Sequence, residues 1–99
     1  MPVNKKPQAI ELLAPAKNAQ VGREAILHGA DAVYIGGPSF GARQAAGNSV
    51  DDIRSLCQFA HLYGARIYVT LNTILWDSEL KDAEALIWQL YEAGVDALI

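Results

Sequence analysis

The stretch Gly36-Gly37-Pro38-Ser39-Phe40-Gly41-Ala42-Arg43 carries the residue types best suited to chemistry on an anion. Glycines let a backbone turn tightly and approach a ligand closely, and an arginine presents a planar fork that matches a carboxylate or phosphate. Substrate binding is therefore expected at Arg43, Gly36, Gly37 and Gly41. The spacing of Gly36 and Gly41 imitates the start of a phosphate-binding P-loop. However, Ala42-Arg43 stands where Lys-Ser/Thr is required, and Pro38 lacks an amide donor, which argues against a nucleoside triphosphate. The plainer reading is a turn whose glycines satisfy backbone angles while Arg43 pairs with a neighbouring acid.

Asn72, in Thr70-Leu71-Asn72-Thr73, is the second binding candidate. Ile67, Val69 and Leu71 form one apolar set of a strand, so Tyr68, Thr70 and Asn72 point the other way. An asparagine there either bonds a ligand or braces a loop. Lys17 faces a ligand or water, and Asn18 reads first as a helix cap. Glu11 sits among apolar neighbours and suits either a functional carboxylate or a structural pair. His28 and His61 lack a second ligand at metal spacing, so no metal site is expected. Cys57 shares a helical face with Leu56 and Ala60, as a core thiol does. No catalytic triad or Cys–His arrangement can be assembled. Trp76 and Trp88 read as packing or interface residues.

The elements that must position these residues repeat. Gly29-Ala30-Asp31-Ala32-Val33-Tyr34-Ile35 returns as Gly64-Ala65-Arg66-Ile67-Tyr68-Val69-Thr70 and begins again at Gly94-Val95-Asp96-Ala97-Leu98-Ile99. Each glycine follows a helical pattern and precedes a short apolar strand, which is the grammar of βαβ units in a parallel sheet. Strands are expected over 9–13, where Pro15 blocks extension, and over 32–35, 67–71 and 97–99. Helices are expected over 19–28, capped by Asn18, over 50–63, opened by a Ser49/Asp52 capping box, and from 77 or 78 to 93. Their apolar faces read as Val21, Ala25 and Leu27 in the first. The second has Ile53, Leu56, Cys57, Ala60 and Tyr63, and the third Leu80, Ala83, Ile87, Leu90 and Tyr91.

The fold class is α/β, and the lack of a dinucleotide fingerprint favours a partial (β/α) TIM-type barrel over an open sheet. Residues 1–8 read as a flexible lead-in. Residues 9–99 read as the N-terminal part of a barrel domain, truncated within strand four, because a closed barrel takes ~250 residues. In either architecture ligands sit at the C-terminal ends of the strands. The exposed edges of strands 9–13 and 97–99 predict self-association. Burying even ~400 Å² of apolar surface there contributes about 10 kcal/mol before association costs.

Composition agrees with strands covered by helices, since 52% of residues are hydrophobic and 19% charged, below the usual ~25%. A net charge of −3 offers no basic footprint for nucleic acid within this segment. The single cysteine excludes an internal disulfide. The start has no apolar signal-peptide core, and no apolar run nears the ~20 residues of a membrane span. A cytoplasmic location is expected.

Several of these stretches together resemble one family. Glu11-Leu12-Leu13-Ala14-Pro15-Ala16-Lys17, His28 to Gly37, Phe40-Gly41-Ala42-Arg43 and Val69-Thr70-Leu71-Asn72-Thr73-Ile74-Leu75 resemble the N-terminal segment of the bacterial collagenase-like peptidases. The similarity is strongest to the branch that hydroxylates a cytidine of large-subunit ribosomal RNA; a sister branch acts on transfer RNA. The resemblance implies a barrel domain within a longer RNA-modifying protein, with RNA as partner and prephenate and an iron–sulfur cluster as associated groups. The cluster's cysteines would lie downstream, because such sites take about four thiolates. It transfers no catalytic residue onto these positions. A peptidase and a non-enzymatic barrel segment used for assembly are the competing functions. The 99-residue chain by itself is expected to be inactive, since part of a barrel cannot gather groups from all strand ends.

Overall fold

Three glycines hold positive φ, Gly29 at 105°, Gly64 at 73° and Gly94 at 102°, and each closes a helix. The N–H groups of Gly29 and Ala30 donate to the carbonyls of Ile26 and Ala25. Gly64 and Ala65 do the same to His61 and Ala60, and Gly94 and Val95 to Tyr91 and Leu90. This is the Schellman arrangement, which consumes helix carbonyls that would otherwise lack donors. A Cβ at Gly64 would meet nothing within 4 Å, so alanine there carries a purely conformational cost. Gly64→Ala is expected to lower unfolding stability by about 1–2 kcal/mol, the cost of the left-handed region for an L-residue, and urea denaturation measures it.

The computed structural model describes residues 10–38, 47–71 and 80–99. The elements run β1 (Leu13–Ala16), α1 (Ala19–Leu27), β2 (Ala32–Gly36), α2 (Val50–Leu62), β3 (Arg66–Thr70), α3 (Leu80–Ala93) and β4 (Ala97–Leu98). The strands form one parallel sheet in the order β1-β2-β3-β4. The lead-in expected over 1–8 lies outside the described residues, as does most of the loop after Gly36.

Two local devices start the helices. The Asn18 Oδ1 accepts from Val21 N–H at 2.8 Å, and the Ser49 Oγ accepts from Asp52 N–H at 3.0 Å. Both caps stand where the sequence predicts them, but the return bond that would complete a capping box, from Ser49 N–H to the Asp52 carboxylate, is not made. The residue two places after each helix-closing glycine then ties the next strand into the sheet. Asp31 N–H donates to the Leu12 carbonyl, and Asp96 N–H to the Ile67 carbonyl. The carboxylates return the bond: Asp31 Oδ2 accepts from Leu12 N–H at 2.8 Å, and Asp96 Oδ2 from Ile67 N–H at 2.8 Å. Arg66 holds this place in the middle copy. Its N–H donates to the Asp31 carbonyl, and its guanidinium lies 3.7 Å from Glu11 Oε2.

The first strand corrects the sequence reading. It runs over Leu13–Ala16 and contains Pro15, in register with Tyr34. A proline is tolerated because β1 has one neighbour among the described strands, and a strand edge does not need every N–H. Glu11 accordingly precedes the strand, is exposed, and pairs with Arg66. The other strands match the expected stretches to within a residue.

The helices gather on one face of the sheet, α1 and α2 against the strands and α3 against α2. Ala19 and Ile26 of α1, Ile53, Leu56, Cys57 and Ala60 of α2, and Leu86 and Leu90 of α3 join Val33, Ile35, Ile67 and Val69 in one core. Leu71 packs against its margin, so the apolar set of the third strand points where the sequence places it. Four expected core residues do not belong: Leu27, Tyr63, Ile87 and Tyr91 are exposed. The buried stripe of α1 passes through Ala19, Gly22 and Ile26, and that of α3 through Ala83, Leu86, Leu90 and Ala93. Gly22 sits where α1 and α2 approach closely; a Cβ there would already lie 2.9 Å from a Leu56 methyl. The Leu80 side chain lies outside the described set.

Candidate functional site

With the helices on one face, the opposite face of the sheet presents Leu13 and Pro15 of β1, Tyr34 and Gly36 of β2, and Tyr68 and Thr70 of β3. Side chains alternate across a strand, so these are the partners of the core-facing set. Where the strands end, Pro15, Ala16, Lys17, Tyr34, Gly36 and Thr70 line an open cavity of about 470 Å³. Ala16, Gly36 and Thr70 are the last residues of their strands. The cavity therefore lies at the carboxyl end of the sheet, where parallel α/β proteins bind ligands.

Of the sequence-predicted binding residues, Gly36 lines this cavity, and Gly37 stands just behind it. Gly37 N–H donates to the Thr70 carbonyl at 3.0 Å, prolonging the β2–β3 pairing. Neither glycine holds a positive φ, so the tight-turn reason expected for them does not apply. Arg43, Gly41 and Asn72 lie outside the described residues. Lys17, read as facing ligand or water, lines the cavity.

Asn48 braces the rim. Its Nδ2 donates to the Gly36 carbonyl at 2.9 Å and to the Lys17 carbonyl at 3.2 Å. One side chain thus joins the ends of β1 and β2 at the start of α2. Sequence reading missed it because its partners are 12 and 31 residues away. Tyr34 was equally legible and overlooked: strict alternation with buried Val33 and Ile35 puts it on the face opposite the core. Asn48→Ala is expected to cost about 1 kcal/mol, the net worth of such exposed bonds, and to lower Tm by about 4–8 °C in a thermal melt.

A second polar cluster lies at the other end of the sheet. His61 Nε2 donates to Asp96 Oδ2 at 2.9 Å, and a Cβ at Gly94 would lie 3.4 Å from Cys57 Cβ and 3.6 Å from His61 Cε1. The sequence assembles no Cys–His arrangement, yet the fold brings these residues near one another. It does not make a nucleophile. Cys57 is 1% exposed, and burial, followed by the Asp96 charge, pushes its thiol up to about 11. A thiol that stays protonated is inert. The cluster fastens α2 to β4. His28 likewise serves its own helix, with Nδ1 donating to the Glu24 carbonyl at 2.8 Å. Among the described residues, no group of three or more His, Cys, Asp or Glu side chains is placed to hold a metal.

A parallel α/β unit with its cavity at the carboxyl ends of the strands is the class that fold and site define. Residues 17–99 match the model of peptidase family U32, and the chain belongs to that family. It is 67% identical over 90 residues to the 23S rRNA 5-hydroxycytidine C2501 synthase of Escherichia coli (strain K12), covering 91% of this chain and 14% of that protein. It is 40% identical over 98 residues to tRNA hydroxylation protein P1 of Bacillus subtilis (strain 168), covering 98% of this chain and 22% of that protein. A collagenase of Porphyromonas gingivalis (strain ATCC BAA-308 / W83) shares 29% over 91 residues, 90% of this chain and 22% of its own. The chain thus spans under a quarter of the length of these relatives. No solved structure matches it.

Proposed function

We propose that this chain is the N-terminal segment of an RNA-modifying enzyme that hydroxylates a cytidine of large-subunit ribosomal RNA, acting in the cytoplasm. The 67% identity to the E. coli synthase carries this reading, and the tRNA hydroxylation relative supports RNA as the substrate class. In this proposal the sheet is the first part of a (β/α) barrel. Sequential strand order with all helices in one core supports a barrel, since a doubly wound sheet reverses its order and carries helices on both faces. The cavity edged by Lys17, Gly36 and Thr70 then opens at the barrel mouth, and Arg43 and Asn72 complete the binding set from the loops after β2 and β3.

An iron–sulfur cluster does not fit the residues of this chain. Cys57 is its single cysteine, buried and held protonated, whereas clusters need about four thiolates. A cluster and prephenate belong, in this proposal, to other parts of the longer protein. The peptidase reading has the P. gingivalis collagenase behind it, but no nucleophile–base pair stands among the described residues. Among those residues no helix is long and apolar enough to cross a membrane.

The test is to restore the full-length protein to cells lacking it and measure hydroxylated cytidine in 23S rRNA by mass spectrometry. Restored modification is expected. Unchanged RNA together with peptide cleavage would favour the peptidase instead. Self-association of the 99-residue chain through the β1 or β4 edge belongs to the same proposal. The exposure of Leu13, Leu98 and Ile99 supports it, and light scattering at high concentration decides it.

A further inference from the structure

The two adjacent glycines at the end of β2 are glycines for different reasons. A Cβ on Gly37 would lie 2.9 Å from Val69 Cγ1 and 3.2 Å from Leu71 Cδ2, so core packing forbids a side chain there. Among the described residues, a Cβ on Gly36 would meet Thr70 Oγ1 alone, at an ordinary 3.9 Å, and Gly36 has no positive φ. Neither packing among the described residues nor backbone conformation asks for glycine at position 36. Its missing side chain leaves room in the cavity instead.

That room has a definite chemistry around it. Tyr34, 36% exposed, precedes Gly36 on the same face and offers a ring. Thr70 offers a hydroxyl, and Lys17 a cation. The cavity is open, and its volume of about 470 Å³ lies within the range of small-ligand sites. An aromatic ring, a hydroxyl and a lysine are the groups that hold one unstacked nucleotide: ring for base, hydroxyl for a base edge or ribose, cation for phosphate. An enzyme that works on a base must take it out of its stack into such a pocket. We propose that the cavity receives a single extruded ribonucleotide of the substrate RNA, with Gly36 as the residue that makes room for it and Lys17 as the partner of its phosphate. This rests on the RNA-modifying reading above.

The test compares full-length wild type with Gly36→Val, Lys17→Ala and Gly37→Ala. Cytidine modification in 23S rRNA is read in cells, and thermal shift is read on the purified proteins with cytidine 5′-monophosphate, cytidine or citrate. Gly36→Val should keep Tm within about 3 °C, as a substitution without steric conflict does, yet lose at least tenfold in modification. Cytidine 5′-monophosphate should raise the Tm of wild type but not of Gly36→Val. Lys17→Ala should erase the advantage of the monophosphate over cytidine. Gly37→Ala should instead lower Tm without any ligand. Wild-type modification by Gly36→Val would overturn the proposal while leaving the RNA-modifying reading intact. Protection by citrate in place of the monophosphate would overturn it in favour of a small acid. Absence of modification by wild type would overturn the functional reading itself, and the thermal shifts would still decide what the cavity binds.

Discussion

Leu56→Ala should cost about 3–5 kcal/mol of unfolding stability, within the range for truncating a core leucine. Leu56 is 0% exposed, and its methyls would lie 2.9 and 3.1 Å from a Cβ on Gly22, so it fills the seam between α2 and α1. Removing it leaves a cavity that Gly22, with no side chain, cannot fill. Small domains are stable by only ~5–15 kcal/mol in all, so this one change consumes a large share. Urea denaturation monitored by circular dichroism should show the midpoint falling with an unchanged slope. A loss below 1 kcal/mol would mean that α1 and α2 do not meet as described.

The second large effect is one of pH. Cys57 is buried, and its thiol is pushed up to about 11 from an ordinary value of 9.0. The folded protein therefore holds the proton more tightly than the unfolded chain does. Below pH 9 both states are protonated, and the thiol makes no difference between them. Between about pH 9 and 11 the unfolded chain ionises while the folded one does not, so stability falls as pH rises. The slope approaches ~1.4 kcal/mol per pH unit, and the loss totals about 2–3 kcal/mol. Other groups titrate in this range, so the informative quantity is wild type minus Cys57→Ala, measured by urea denaturation from pH 8 to 11. That difference should change by about 2–3 kcal/mol. A flat difference would show that the thiol reaches solvent. The same burial predicts negligible reaction with thiol reagents near neutral pH under native conditions.

Both effects arise from residues whose core position is legible in the sequence: Leu56 and Cys57 lie on one helical face with Ile53 and Ala60, and all four are buried. Local signals of this kind need no tertiary information. The three helix-closing glycines, the caps at Asn18 and Ser49, the parallel order and the apolar side of β3 follow from backbone chemistry and periodicity, each acting over a few residues. The resemblance to the collagenase-like peptidases is of the same kind, because it rests on short runs such as Ala30-Asp31-Ala32-Val33-Tyr34-Ile35.

What the tertiary structure alone decided involves partners far apart in sequence. Pro15 reads locally as a strand breaker, but β1 has one neighbour among the described strands, and Pro15 lies inside it. Ile87 and Tyr91 have the right spacing for a core face, yet Leu86 and Ala93 take it, because the direction of approach of α2 selects among overlapping stripes. Asn48 carries no local mark of its two bonds across 12 and 31 residues. Gly36 and Gly37 are indistinguishable as a pair of letters. Val69 and Leu71 crowd the one, while among the described residues Thr70 alone comes near the other, and a three-dimensional distance is the quantity that a one-dimensional spacing cannot contain.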